Sequence, residues 1–420
     1  MTVPGYATAL LLVDPFDEDS LRARLEDARL QLPGGRADLA LVFASPSLLP
    51  QIREINELIQ VHAHAALLAG CVAHGVIGQS QEIEEGPALS ILLLSLPGAQ
   101  LSPVRFTPDD LEAAQKPAHW HHLTRVTPDT TRGWLVFADP RELDAERWLA
   151  QWNDAYPGTP TVGGLAGSPA NPDAPCLFLN QQAFSNGAIA ISISGNVRLE
   201  AIVSQGCTPI GRPWTVTAAD RNFIQRIGNL PALSVLQDTF NALPETEKAR
   251  ANGNIFVGLA VDEYLEEHRR GDFLVRNLLG ADPNRGVVAV GARVRVGQTV
   301  QFQFRDGEAA THDLATLLHK ARIRLAHQPV LAACLCSCAG RGQGLFGHRH
   351  HDTRLVHEHL GRQLPLAGFF CNGEIGPVGH RNHLHGYTAA LALFVADPHS
   401  LPPLPSTPSP SPSPSTDAHS

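Results

Sequence analysis

The chain has little charge for its length. Only 17% of its 420 residues are Asp, Glu, Lys or Arg, and the net charge is -9. Lysine is scarce and no basic stripe occurs, which excludes nucleic acid as a partner, because its phosphates demand clustered cations. Long apolar runs are also missing. "ALSILLLSLPGA" is strand-sized, short of the roughly 20 residues that cross a bilayer, so no membrane partner is expected. No Lys or Arg precedes the apolar part of the N-terminal "MTVPGYATALLLVDPFDEDS", so it does not read as a secretory signal. The cysteines number seven and lie in apolar stretches, which reads as reduced thiols in the cytoplasm and not as a disulfide frame. The G-K-[ST] of a phosphate loop and the G-x-S-x-G of a nucleophile elbow are absent as well.

What is present is an internal repeat. "LALVFASPSLLPQIREINELI" reads as a buried strand followed by a helix opening on Ser-Pro, and "GWLVFADPRELDAERWLAQWNDAY" repeats it on Asp-Pro. The shared "VFA(S/D)P" begins at Val42 and Val136. Gly70 and Gly164 each follow 28 residues later, an ungapped offset of 94. Gly86 and Gly187 then precede apolar strands. A third copy runs through "PVLAACLCSC", "DTRLVHEHLGRQL", "LPLAGFFCNGEIG" with Gly368 and "HGYTAALALF" with Gly386, and carries an insertion between strand and helix. The recurring glycines suggest positive-φ turns at strand ends.

Between copies two and three, residues 217–240 read as a broken helix, residues 286–307 as a hairpin turning at Gly297, and residues 308–326 as an amphipathic helix. The fold class expected is α/β, with repeated strand–helix–strand units forming two packed domains with mixed sheets. The boundaries are an N-terminal segment 1–34 joining the first domain, domains 35–232 and 233–396, and a disordered Pro/Ser-rich tail 397–420.

The insertion, "SCAGRGQGLFGHRHHD", holds most of the candidate chemistry. Gly342-x-Gly344-x-x-Gly347 fits a dinucleotide fingerprint, but the helix begins too late, so a mobile loop over a pocket is the reading preferred. Cys334, Cys336 and Cys338 alternate along a strand, neighbours about 7 Å apart, and Cys338 sits at its end beside Arg341, which would lower its pKa if close. His348, His350, His351 and His357 are candidate ligands for a metal or a haem iron. Glu374 follows a glycine at a strand end, where α/β sheets place ligands. Glu374 could receive an amine while Arg341 clamps a carboxylate, with Gly342, His385 and Cys207 lining the same pocket.

Several segments resemble the FIST family of sensory modules: "AGCVAHGVIG", "VSQGCTPIGRPWTVTAADRNFIQRIGNLPAL" with Gly206-Cys207, Pro209 and Gly211, then "CAGRG", "LPLAGFFCNGEIGPVG" and "NHLHGYTAALALF". The resemblance covers roughly residues 35 to 395. It departs at Val72, where a smaller residue is usual, and in the histidine-rich "GHRHHDT". It implies intracellular sensing of a small ligand, with amino acids as the ligand class, and a signalling partner such as a kinase or other output protein, since no output domain is visible. A haem-binding gas sensor and an adaptor or scaffold protein are the family-based alternatives. No cofactor is expected beyond that haem or metal alternative. The chain is read as not an enzyme, with a Cys/His-dependent hydrolase or transferase as the competing reading.

Overall fold

The computed structural model describes residues 5–398 except 15, 168–173, 175, 362 and 363. The expected tail lies outside the described residues apart from its first two. The α/β class with mixed sheets is as expected, and a β-barrel accompanies the repeats.

Each repeat starts with a buried lead strand, Ala37–Ala44, Trp134–Ala138 or Val330–Cys338. A crossover helix follows, Ile52–His62, Ala145–Ala155 or His351–Leu360. A return strand, Ala65–Val72, Thr161–Leu165 or Leu366–Cys371, then lies parallel to the lead strand. The apolar runs serve because these strands are covered on both faces, and the crossover helices bury one face, as Ile52, Ile55 and Ile59 do in the first. The Ser-Pro opening puts Pro46 in the first turn of a 3-10 segment, as the motif predicts. The second helix starts later, at a new cap: Asp144 accepts from the Arg147 N–H, while Asp139 accepts from that of Glu142 at 2.8 Å.

A short hairpin comes next, Gly75–Gly78 with Gln81–Ile83, Leu177–Leu179 with Gln182–Phe184, or Glu374–Val378 with Arg381–His385. None of these hairpins stays in its own sheet. The first joins the return strand of the third repeat, the second that of the first, and the third that of the second. A closing strand, Leu89–Leu94, Ala188–Gly195 or Thr388–Ala396, pairs antiparallel with its own lead strand. The strand after it also crosses: Ala99–Phe106 enters the second sheet and Val197–Gln205 the third. Ala7–Leu12 occupies the corresponding edge of the first sheet. Three six-stranded sheets thus exchange strands in a ring. At its centre Phe43, Phe137 and Phe369 touch, with ring centroids 5.0 to 5.9 Å apart, one ring from each repeat.

Register fixes the true equivalences. Val42 faces Gly70, Val136 faces Gly163 and Leu335 faces Gly368. A Cβ on these glycines would lie 1.7, 1.8 and 1.9 Å from the facing carbonyl oxygen. The repeated glycine therefore answers a close backbone approach within the sheet, not a positive φ, and in the second copy it is Gly163 and not Gly164. The positive φ expected at strand ends does occur at Gly86 and Gly187 (88° and 84°), while beside Gly386 it falls on Tyr387 (63°).

Residues 207–305 form the barrel. Strand Thr299–Arg305 pairs with Ile255–Ala260 to close a circuit through Trp214–Asp220, Phe223–Ile227, Val287–Val290 and Phe273–Asp282. Position 232 falls between strands of this sheet. The helix expected from residue 217 starts at Ala232, because the residues before it make a hairpin that turns at Arg221, φ 53°. The hairpin expected at Gly297 does not form either, since its two strands pair with other partners. The amphipathic helix is Gly307–Arg324, capped by Asp306, and leads into the third repeat.

Candidate functional site

In the third repeat the parallel lead and return strands end side by side on Cys338 and Cys371, and Glu374 opens the hairpin just beyond. The insertion folds over these ends as a single turn, Gln343–Phe346, opened by Gly342. The exchanged hairpin of the first repeat ties it down. Glu84 accepts from the Gln343 N–H at 2.7 Å, the Glu82 N–H donates to His350 Nδ1 at 2.9 Å, and Glu82 accepts from the Thr353 N–H at 2.7 Å. A Cβ on Gly342 would meet a Glu84 carboxylate oxygen at 2.2 Å, so this glycine lets a carboxylate approach. The segment read as a mobile loop is anchored at both ends.

Arg341 is buried, 1% exposed, and its fork closes on Asp352: Nε to Oδ2 at 2.8 Å and Nη2 to Oδ1 at 2.9 Å. Asp352 also accepts from Ser337 Oγ at 2.9 Å and contacts His351 Nδ1 at 2.9 Å. Burial pushes the Asp352 carboxyl up, but the Arg341 charge and the hydrogen bonds from His351 and Arg341 outweigh it and hold it below the usual carboxylate range. The two-pronged carboxylate clamp expected of Arg341 is therefore spent within the protein. Only Nη1 is left, buried and without a hydrogen-bond partner among the described residues, and it faces Gly206, where a Cβ would stand 3.3 Å away.

Glu374 is fully buried. It accepts from Thr388 N–H at 3.1 Å, from Thr388 Oγ1 at 2.7 Å and from Cys371 Sγ at 3.4 Å. Burial pushes its carboxyl up to about 7 against the pull of these bonds and of Arg341. Cys338 is half-buried, while the other six cysteines are buried. Burial and then Glu374 push its thiol up to about 11, although the backbone N–H groups of Gly340 and Tyr387 and the Arg305 charge oppose them. The lowered thiol expected from a neighbouring arginine is thus reversed. Cys207 belongs to the same neighbourhood, pushed up to about 12 by burial with Arg305 and Arg341 pulling back. Arg305 bonds the Gly340 carbonyl and lies over the Tyr387 ring at 5.6 Å. His385 faces Glu374 in the hairpin register, but its Nε2 is bound to the Gly376 carbonyl at 3.0 Å and burial pushes it down to about 3.

The four candidate histidines do not converge. His348 bonds the Phe346 carbonyl, His350 the Glu82 N–H, His351 Asp352 and Thr311, and His357 the Leu364 carbonyl. No group of three or more His, Cys, Asp or Glu among the described residues could hold a metal ion. The insertion instead uses His351 for packing, with Phe346 stacked on it at 3.4 Å. Thr311 and Phe346 also line an open cleft of about 500 Å³, with Arg250, Asp306, Glu308 and His348.

The internal symmetry isolates what is special here. Counting from the close-approach glycines, Cys338 corresponds to Ser45 and Asp139. The residue paired one step past the glycine is Val76 in the first hairpin, Leu177 in the second and Glu374 in the third. A buried carboxyl stands where two sister units place a buried aliphatic. Sequence reasoning reached Cys207, Cys338, Arg341 and Glu374 but missed Asp352 and Thr388, whose partners lie 11 and 14 residues away in the third repeat, and Thr311 and Arg305, which come from outside it.

The FIST N domain matches residues 38–229 and the FIST C domain residues 232–377. The uncharacterized protein MT0656 of Mycobacterium tuberculosis is 36% identical over 368 residues, covering 88% of this chain and 94% of that one. The uncharacterized protein Mb0898c of Mycobacterium bovis is 34% identical over 382 residues, covering 90% and 97%. Among solved structures, a cyanuric acid hydrolase from A. caulinodans is similar over 94% of this chain and 99% of its own, at 10% identity and a TM-score of 0.30. The expectation of a chain without catalytic activity is corrected on this finding, since end-to-end structural neighbours are enzymes. At that TM-score the likeness carries no reaction over to this chain.

Proposed function

The chain belongs to the FIST family, carrying its N and C domains in one polypeptide, and on that premise we propose that it binds an amino acid at the strand ends of the third repeat. FIST domains are associated with sensing in signal transduction. The observation that carries the reading is Glu374. Burying a carboxyl is costly, and the hydrogen bonds from Thr388 and Cys371 only offset that cost, while Val or Leu satisfies the fold at the sister positions. A carboxyl poised near 7 gives up its proton when an ammonium arrives and becomes its counter-ion. Arg305 and the remaining Nη1 of Arg341 supply positive charge for the ligand carboxylate. Binding would be read out by a partner, a kinase or another output protein, in the cytoplasm where free thiols stay reduced.

The test is isothermal titration of the full chain with the standard amino acids, after a thermal-shift screen. Saturable binding of one of them, weakened about tenfold or more in Glu374→Gln, is expected, since a charge-assisted contact is lost. Affinity should rise with pH through about 7, as Glu374 ionises among Thr388, Cys371, Cys338 and Arg341. Absence of binding by every amino acid, or unchanged affinity in the variant, would refute the reading.

A further inference from the structure

A second cleft, of about 250 Å³, opens where three distant parts of the chain meet. The barrel contributes Leu259, Leu274, Arg276 and Arg293, the crossover helix of the second repeat Glu146 and Leu149, and the exchanged hairpin of the third repeat Arg381, His383 and Leu384. Its charge is one-sided. Three guanidinium groups line it against one carboxylate, Glu146, and that carboxylate is already bound to Arg276 at 2.8 Å. Arg276 is further held by the Leu384 carbonyl at 3.1 Å, so it is a fixed positive wall. Arg381 reaches Asp154 at 3.3 Å only through an exposed pair, which contributes little. Arg293 is exposed and has no hydrogen bond or ion pair among the described residues.

The hairpin adds a second and independent signal. His383 Nε2 is closed off from solvent and lacks a hydrogen-bond partner among the described residues. Native proteins rarely leave a buried nitrogen unpaired without reason. Around it the leucines make an apolar wall, the mixture of greasy surface and few convergent polar groups that small-molecule sites show.

We propose that this cleft binds a small organic anion, an anionic head held by Arg293, Arg381 and His383 with a short aliphatic body against Leu149, Leu259 and Leu274. Such a ligand bridges the barrel and the ring of sheets. It also sits on the hairpin whose first strand carries Glu374, so the two sites share one element.

The experiment is isothermal titration of the full chain at low salt with 4-methylpentanoate and, separately, inorganic phosphate. Saturable binding of either probe, weakened about tenfold or more by combined Arg293→Ala and Arg381→Ala and unchanged in Glu374→Gln, is the expected result. Which probe binds tighter assigns the head as carboxylate or phosphate. No saturable binding of either, binding that survives the double variant, or binding lost in Glu374→Gln overturns the proposal. The last outcome would place the probe at the strand-end site instead, so this proposal can fail while the amino-acid reading stands.

Discussion

Where the first repeat ends its paired strands on Ser45 and Val76, and the second on Asp139 and Leu177, the third ends on Cys338 and Glu374. The strand framework is the same in all three, down to the glycine that lets the return strand approach the lead strand. Val76 and Leu177 show what packing alone asks for at the hairpin position, whereas at the lead-strand end the second unit already buries a carboxyl, Asp139, paired with Arg141 at 3.0 Å. The third departs at the hairpin position, where it alone buries a carboxyl, and it adds beneath the insertion a guanidinium–carboxylate pair with both partners almost without solvent contact. Local rules are broken where a protein does its work, and an internally repeated chain carries its own controls for recognising the break.

The shared backbone is tested by the largest effect. Gly70→Ala, Gly163→Ala and Gly368→Ala should each prevent folding, because the new Cβ would lie within 1.9 Å of a backbone oxygen. Soluble yield and circular dichroism would show it, and one tolerant repeat would break the equivalence. Next comes Asp352→Ala, which strands the buried Arg341 charge and should cost about 3–5 kcal/mol in urea unfolding. A smaller loss would mean that the third repeat depends on its ion pair no more than the first two depend on their strand ends. The last concerns pH. Folded Glu374 keeps its proton up to about 7, above the ordinary carboxyl value of 4.5. The folded state therefore binds more protons in that window, and stability falls as pH rises through it. Glu374→Gln keeps an acceptor for Thr388 and should lessen this decline by on the order of 3 kcal/mol between the two ends, leaving the part contributed by Glu82, which burial and then Asp352 also push up to about 7. Unfolding at pH 4.5 and pH 8 would measure it.

Much of this was legible in the chain. The two "VFA(S/D)P" strands, their helices and the third copy with its insertion follow from apolar runs and proline placement. The exchange of hairpins was not, because strands as short as Gln81–Ile83 and Leu177–Leu179 carry no periodic signal and their partners are fixed by tertiary packing. Adjacent Gly163 and Gly164 look alike in sequence, and only the register shows which one meets the carbonyl. For the site, residue type and strand-end placement led to Cys338, Arg341 and Glu374. The partner of Arg341, Asp352, stands eleven residues on in the same insertion, but nothing in the sequence tells it from Glu82 and Glu84, which folding also brings to that segment, and the burial that lifts the Cys338 thiol is itself a tertiary property.

The ring of exchanged strands also sets an order on biosynthesis. The first sheet has all its strands once Gln182–Phe184 has left the ribosome, whereas the second waits for Arg381–His385 and the third for Thr388–Ala396. A chain released before residue 366 leaves the first hairpin and Val197–Gln205 without their partner sheet and the strand Thr161–Leu165 with a bare edge. Those surfaces recruit other chains, so prematurely terminated products of this protein should be aggregation-prone and not simply inactive.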